Sequence, residues 1–345
     1  MRALVIHHPG NISIQQMPEP ELMKGWALIR PTLVGICGSD IHAYTGHQPF
    51  AKYPVIPGHE IVGRVEAVSE EMRDTIPLGR SVPATLEIGS RVVVDPAVPC
   101  GKCCACKRGR YNACVNQQVI GVHIHGGAAE LVAVPKDSCV PVPDAISDEA
   151  AAVIEPLSIG LQACRRGRVN VGEYVVIVGG GPIGLCVLLQ AQAIRAKCAV
   201  VEPEPARRAK AHELGAEVVV SPEQAQEAIA QWAPDACPDV VVEAAGTPTT
   251  LRQAIDLAGA AGRVVVLGFW PSDISIEGPS IVRKELEIIG SRLHCGTVQE
   301  TVAQVAAGLI DPTVLISMIK ELDEGAQVFE ALARDKSTFK VLLKV

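Results

Sequence analysis

Aromatic residues are scarce in this chain, only 3% of its 345 residues. That scarcity suits a small polar ligand better than a large apolar one. There is no basic excess either: 31 Lys and Arg against 38 Asp and Glu leave a net charge of −7, which argues against a nucleic-acid partner. Long apolar runs are missing. Stretches such as Val240-Val241-Val242 and Val264–Phe269 are strand-length, far short of a membrane span. Met1–Ala3 lead straight into a strand-like stretch with no signal-peptide core, so a cytoplasmic location is expected. Internal repeats and low-complexity tracts are also lacking.

What the chain does have is cysteine, twelve in all. Without an export signal, they read as metal ligands plus buried thiols rather than disulfides. Cys139, Cys164, Cys186, Cys198 and Cys237 stand in apolar or helical contexts and read as packing residues. Cys100, Cys103, Cys106 and Cys114 are different. Their C-x2-C-x2-C-x7-C spacing can set four thiolates around one tetrahedral ion, the pattern of a structural zinc. Three of them lie close together in sequence, so loop closure is cheap. An iron–sulfur cluster and disulfide pairing are the competing readings. The late fourth cysteine, with no proline after it, disfavours the cluster. Cys104 reads as a spare thiol.

A chain this long predicts two domains. Residues 1–157 carry short β runs broken by Gly and Pro, among them Arg2–Ile6, Trp26–Leu33, Glu60–Val68 and Arg91–Val94. They predict a β-rich catalytic domain with a zinc lobe at 95–115. From residue 158 to 291, strands and helices alternate: Tyr174–Val178, Gly184–Ile194, Cys198–Glu202, Ala206–Leu214, Val240–Glu243 and Val264–Leu267. This α/β texture predicts a doubly wound parallel sheet, a Rossmann domain. Residues 292–345 return to mixed texture. Residues 70–89 read as a surface loop.

The run Gly179-Gly180-Gly181-Pro182-Ile183-Gly184 follows a strand and opens a helix, the context in which G-x-G-x-x-G binds a dinucleotide. Gly179 would allow the tight turn, Gly181 the approach of the pyrophosphate and Gly184 close packing of the helix. The helix N-terminus would face the phosphates. Glu202, eighteen residues after Gly184, is placed to accept from an adenosine ribose. A carboxylate there favours NAD over NADP, while Arg207 and Arg208 leave a route to a 2′-phosphate.

Three further clusters join metal-capable and titratable groups: Cys37-Gly38-Ser39-Asp40-Ile41-His42, Gly58-His59-Glu60 and Glu155-Pro156-Leu157-Ser158. A thiol, an imidazole and a carboxylate make a catalytic zinc set with an open position. Each alone is weak. Together with the quartet and the glycine run, they resemble the zinc-containing medium-chain alcohol dehydrogenases, in the sorbitol-like polyol branch, over nearly the whole chain.

That resemblance implies a GroES-like fold for the β-rich domain, with the cofactor domain inserted in it. It implies Cys37, His59 and Glu155 as ligands of a catalytic zinc. Glu60 becomes a neighbouring carboxylate that can approach the metal, and Asp40 the group that orients His59. The implied chemistry is reversible oxidation of a secondary alcohol: zinc acidifies the hydroxyl and the nicotinamide takes the hydride. Ser39 would carry the proton away and His42 would pass it to solvent through a cofactor ribose hydroxyl. Leu267-Gly268-Phe269 would meet the nicotinamide and Lys340 the pyrophosphate, while residues 74–86 look like extra loop length. Details such as Asp40-Ile41-His42-Ala43 and Gly121-Val122-His123 resemble the L-galactonate 5-dehydrogenase type most. Threonine 3-dehydrogenase-like or butanediol dehydrogenase-like activity, and a non-catalytic zinc and nucleotide sensor, are the alternatives. One catalytic and one structural zinc per chain, NAD, a small polar alcohol substrate, no membrane and a homodimer or homotetramer complete the expectation. His47, Gln48, His123, His125, Arg292 and His294 are candidate substrate contacts.

Overall fold

The computed structural model describes residues 1–71, 79–80, 83, 86–270, 272–335 and 337–345. The chain forms two compact units, Met1–Glu155 with Val298–Val345, and Pro156–Thr297. The second boundary lies later than expected because the segment after residue 290 stays with the inserted unit. The Thr297 hydroxyl donates to Ser158 O at 3.0 Å. Among the described residues, no helix is long and apolar enough to cross a membrane.

In the discontinuous unit, six of the seven strands of one sheet run in the order Ile316–Glu321, Lys340–Lys344, Trp26–Ile36, Glu60–Val68, Arg91–Val94, Cys139–Pro141. The Val132–Pro135 strand also pairs with Trp26–Ile36. Alternation drives this arrangement, since one face of each strand supplies apolar side chains to the core. Ile29, Val34, Ile61, Val65, Val92, Val94 and Val134 are all buried together. A separate core joins Leu4, Ile6, Ile56, Phe329 and Leu343. The C-terminal strand enters this sheet antiparallel to Trp26–Ile36, with Val341 opposite Ile36 and Leu342 opposite Gly35. Gly35 in turn pairs with Glu60. Two registers thus bring residues 36, 60 and 340 together from distant parts of the chain.

The other unit is a six-stranded, all-parallel sheet in the order Val218–Val220, Lys197–Val201, Tyr174–Val178, Val240–Glu243, Arg263–Val266, Glu287–Gly290. Its central strands are continuous valine runs because both faces are covered. Val176, Val178, Val241 and Val264 pack under helix Pro248–Leu257 through Leu251, Ala254 and Ile255. The strand order reverses between Tyr174–Val178 and Val240–Glu243, and such a switch point opens a crevice at the carboxyl ends of the strands.

Candidate active site and cysteine lobe

Cys37 ends the long Trp26–Ile36 strand and caps the helix Gly38–Thr45. Asp40, at the third position of that helix, reaches back so that its Oδ2 accepts from Cys37 N at 2.9 Å. Its Oδ1 accepts from Gly58 N at 3.2 Å and lies 3.4 Å from His59 Nδ1. Asp40 is 1% exposed. This buried carboxylate ties two metal-capable loops together and fixes the imidazole so that Nε2 faces away from it. Ser39 Oγ lies 3.5 Å from that Nε2. Burial opposes protonation of His59, but Asp40 and Cys37 outweigh it and hold the imidazole well above its usual pKa.

Sulfur, imidazole and carboxylate donors of Cys37, His59 and Glu60 all come within 4.8 Å of one another. This donor set suits zinc: a soft thiolate, a borderline nitrogen and a hard oxygen. Register brings Glu60, the neighbouring carboxylate of the expected set, to Cys37 and His59. Glu60 sits opposite Gly35 at the start of its strand, and a Cβ at residue 35 would lie 1.9 Å from Glu60 Oε2. Glu155 lies in the first turn of helix Ile154–Gly167, 3% exposed, near enough for its charge to push the Glu60 carboxyl upward.

Lys340 reaches the same carboxylate. Its Nζ is 2.5 and 2.7 Å from the two Glu60 oxygens and donates to Ile36 O at 3.3 Å, with the residue 2% exposed. The ammonium therefore pairs with a buried carboxylate. Burial raises the pKa of Glu60, with Lys340 and His59 pulling it back. His42 is exposed on the same helix as Ser39, three residues on and so a neighbour along its face. Burial of its ring, and then His47, lower its pKa.

The lobe holds a second donor set. The sulfurs of Cys100, Cys103, Cys106 and Cys114 lie within 4.8 Å of one another. A zinc tetrahedron with bonds of about 2.3 Å has edges of roughly 3.8 Å. Cys103 Sγ is 3.5 Å from Cys106 Sγ and 3.8 Å from Cys114 Sγ, so the four fit that ion. Backbone N–H groups of Cys106 and Val115 lower the Cys103 thiol to about 6, while burial pushes Cys106 up to about 12. Cys104 is exposed and outside the set.

The stretch read as a surface loop holds a surprise at Arg80. Most of residues 74–86 lie outside the described residues, but the Arg80 side chain is 3% exposed. Its guanidinium is 3.2 Å from both Asp95 Oδ2 and Asp137 Oδ2 and sits 5.3 Å from the Tyr111 ring centre. No motif pointed to this anchor.

In the parallel-sheet unit the backbone of the glycine run is constrained at two positions. Gly179 has φ of +109°, which only glycine adopts without strain. At Gly184 a Cβ would stand 1.8 Å from Gly179 O. Gly181 caps helix Pro182–Ala193, and a Cβ there would meet only Arg207 Nη1, at 3.7 Å. Pro182 and Ile183 form its first turn. Glu202 is 2% exposed, accepting from Gly180 N at 2.6 Å and from Glu204 N at 2.9 Å. Each oxygen retains a lone pair with which to accept a ribose hydroxyl. Phe269 is 68% exposed beyond the Arg263–Val266 strand, after Leu267 and Gly268.

Of the candidate substrate contacts, His294 is fully buried within the parallel-sheet unit. His123 and His125 each use Nδ1 to accept a backbone N–H, from Val119 (3.1 Å) and Ile56 (3.2 Å), which leaves Nε2 as the protonated donor. The His123 ring stacks on Phe50, centroids 6.1 Å apart. A residue that sequence reasoning missed is Glu243, last in its strand and 0% exposed. Its signal was a charge closing a run of valines, just as Glu202 closes Val200-Val201.

Residues 23–144 match the family described as alcohol dehydrogenase GroES-like domain, and residues 182–310 match that described as zinc-binding dehydrogenase. The sorbitol dehydrogenase of Bacillus subtilis strain 168 is 33% identical over 347 residues, 98% of this chain and 95% of that protein. The L-galactonate-5-dehydrogenase of Escherichia coli K12 is 36% identical over 295 residues, 85% of this chain and 83% of that protein. Among solved structures, the rspB alcohol dehydrogenase of Escherichia coli CFT073, complexed with NADH, superimposes with a TM-score of 0.91. It is 31% identical and covers 100% of this chain and 99% of its own.

Proposed function

The chain belongs to the zinc-containing medium-chain alcohol and polyol dehydrogenases, and from that premise we propose that it oxidises a secondary alcohol of a sugar acid, polyol or sugar to a ketone with NAD. L-galactonate is the substrate we place first, because the 36%-identical relative acts on it. The observation that carries the reading is the convergence of Cys37, His59 and Glu60 beside Ser39, with Asp40 holding the two loops that present them.

Zinc held there supplies a Lewis acid for the substrate hydroxyl, and bound NAD supplies the hydride acceptor. Cys37 and His59 hold the ion, with Glu155 and Glu60 as the carboxylates available to complete its shell. Asp40 keeps the His59 ring in one orientation. Ser39 accepts the hydroxyl proton and His42, next along the helix face, delivers it to water. A depressed pKa keeps His42 in the acceptor form near neutral pH. Lys340 offsets the Glu60 charge. In the parallel-sheet unit, Gly179, Gly181, Pro182, Ile183 and Gly184 present the helix N-terminus to the pyrophosphate. Glu202 selects the free ribose of NAD, with Arg207 beside it, and Leu267-Gly268-Phe269 line the nicotinamide. The four-cysteine lobe holds a second zinc away from the chemistry. The protein works in the cytoplasm as a homodimer or homotetramer.

A screen of NAD reduction across aldonates, polyols, 2,3-butanediol and L-threonine tests this reading. Turnover should be highest with an aldonate or polyol, and NAD should exceed NADP in kcat/KM. Turnover on L-threonine alone, or a clear NADP preference, would overturn the substrate or the cofactor assignment respectively.

A further inference from the structure

Glu243 has no part in the chemistry described above, yet its carboxylate accepts four hydrogen bonds. It ends the central Val240–Glu243 strand at the point where the strand order reverses. Its Oε1 accepts from Ala245 N at 2.9 Å, from Gly246 N at 2.7 Å and from the Thr250 hydroxyl at 2.8 Å. Its Oε2 accepts from Gly268 N at 3.2 Å. Ala245 and Gly246 belong to the turn after this strand, and Gly268 follows the next one. One side chain thus bridges two successive crossover loops.

The bridge is tight. A Cβ at Gly268 would lie 2.3 Å from Gly246 Cα and 2.4 Å from Glu243 Oε2, so the two loops touch backbone to backbone. Gly246, with φ of +78°, supplies the turn that permits it. Ala245 also faces the glycine run, since a Cβ at Gly179 would lie 3.0 Å from Ala245 N. A fully buried carboxylate carries a large desolvation cost unless its oxygens are satisfied. Here four donors satisfy it, and their cost of ordering is met before any ligand arrives.

We propose that Glu243 is a positioning residue for the nicotinamide half of the cofactor, holding the 244–247 and 267–269 loops in their binding geometry. This rests on the NAD-dehydrogenase reading of the same unit and adds a division of labour to it. Glu202 and the glycine run serve the adenosine and pyrophosphate. Glu243 serves the ring that takes the hydride. Asp at this position keeps the charge and the local turn but is one methylene short of Gly268. Gln keeps the length but turns one acceptor into a donor facing an N–H.

The test compares NAD with ADP-ribose, which lacks the nicotinamide. In Glu243→Asp and Glu243→Gln, KM for NAD should rise and kcat fall, kcat/KM dropping by about tenfold or more, as expected when a charge-assisted hydrogen bond to a positioned group is lost. The Kd of ADP-ribose, read by calorimetry, should stay within about twofold of the parent's, a small fraction of that loss. Unchanged NAD kinetics would overturn the proposal, and so would equal weakening of both ligands, which marks a general loss of domain structure. Failure of the parent protein to bind ADP-ribose would instead sink the NAD reading itself. Amide hydrogen exchange on the parent enzyme removes dependence on the variants. Gly246 and Gly268 should be protected before cofactor is added, and rapid exchange at both would overturn the proposal.

Discussion

The two metal-capable sets of the discontinuous unit solve opposite problems. The quartet draws all its donors from residues 100–114, on a turn and one-turn helices, and its four sulfurs leave no place for another ligand. Cys37, His59 and Glu60 come from a strand end, a loop and a strand start, and they are useful because they do not close the shell. The quartet needs only short-range chain geometry. The trio needs a framework, which is why Asp40 is buried between its loops and why Glu60 lies against Lys340. Saturation makes a staple, and incompleteness makes a site for chemistry.

Removing one ligand from each set separates these roles. Cys37→Ser should lower kcat/KM by ~10³-fold or more, the several kcal/mol a Lewis-acid metal supplies. Metal analysis should then find about one zinc per chain instead of two, the quartet alone being a closed site. Cys106→Ser should give the same zinc count with the opposite outcome: a lower Tm, and turnover per remaining zinc close to the parent's. If Cys106→Ser abolished turnover in protein that remained folded, the quartet would be more than a staple.

The framework is tested next. Lys340→Met removes the ammonium paired with Glu60 inside the fold, and removing one member of a buried ion pair costs about 3–5 kcal/mol. Chemical denaturation should show that loss, and adding Glu60→Gln should recover part of it. A change below 1 kcal/mol, roughly the surface-pair range, would mean the pair is not buried in solution.

Ser39→Ala should lower kcat by about 10²-fold, the lower end of the range for a positioned proton carrier, with zinc content unchanged. The smallest effect should come from His47→Gln. Burial and then His47 depress the pKa of His42, which accepts a proton only when neutral. Activity is therefore lost as pH falls through that pKa. Removing His47 lets the pKa rise, so the acid limb of the kcat profile should move to higher pH. A limb that stays in place would take His42 out of the proton path.

Local pattern determined a good deal by itself. The quartet follows from spacing, the parallel sheet from valine runs alternating with helices, and the glycine run from its place between strand and helix. Each is written within a few consecutive residues, where chain geometry and side-chain periodicity act directly. Tertiary structure decided the rest. Glu60 joins Cys37 and His59 because the pairing of Gly35 with Glu60 fixes where that carboxylate sits. Lys340 meets Glu60 because the last strand adds to Trp26–Ile36 in one register, and a one-residue slip would turn it to the other face. Arg80 and the bridge from Glu243 to Gly268 are not written in spacing, because those partners lie on other segments and only the folded chain sets the distances. Long-range contacts of buried charges depend on register and desolvation, neither of which a local motif encodes.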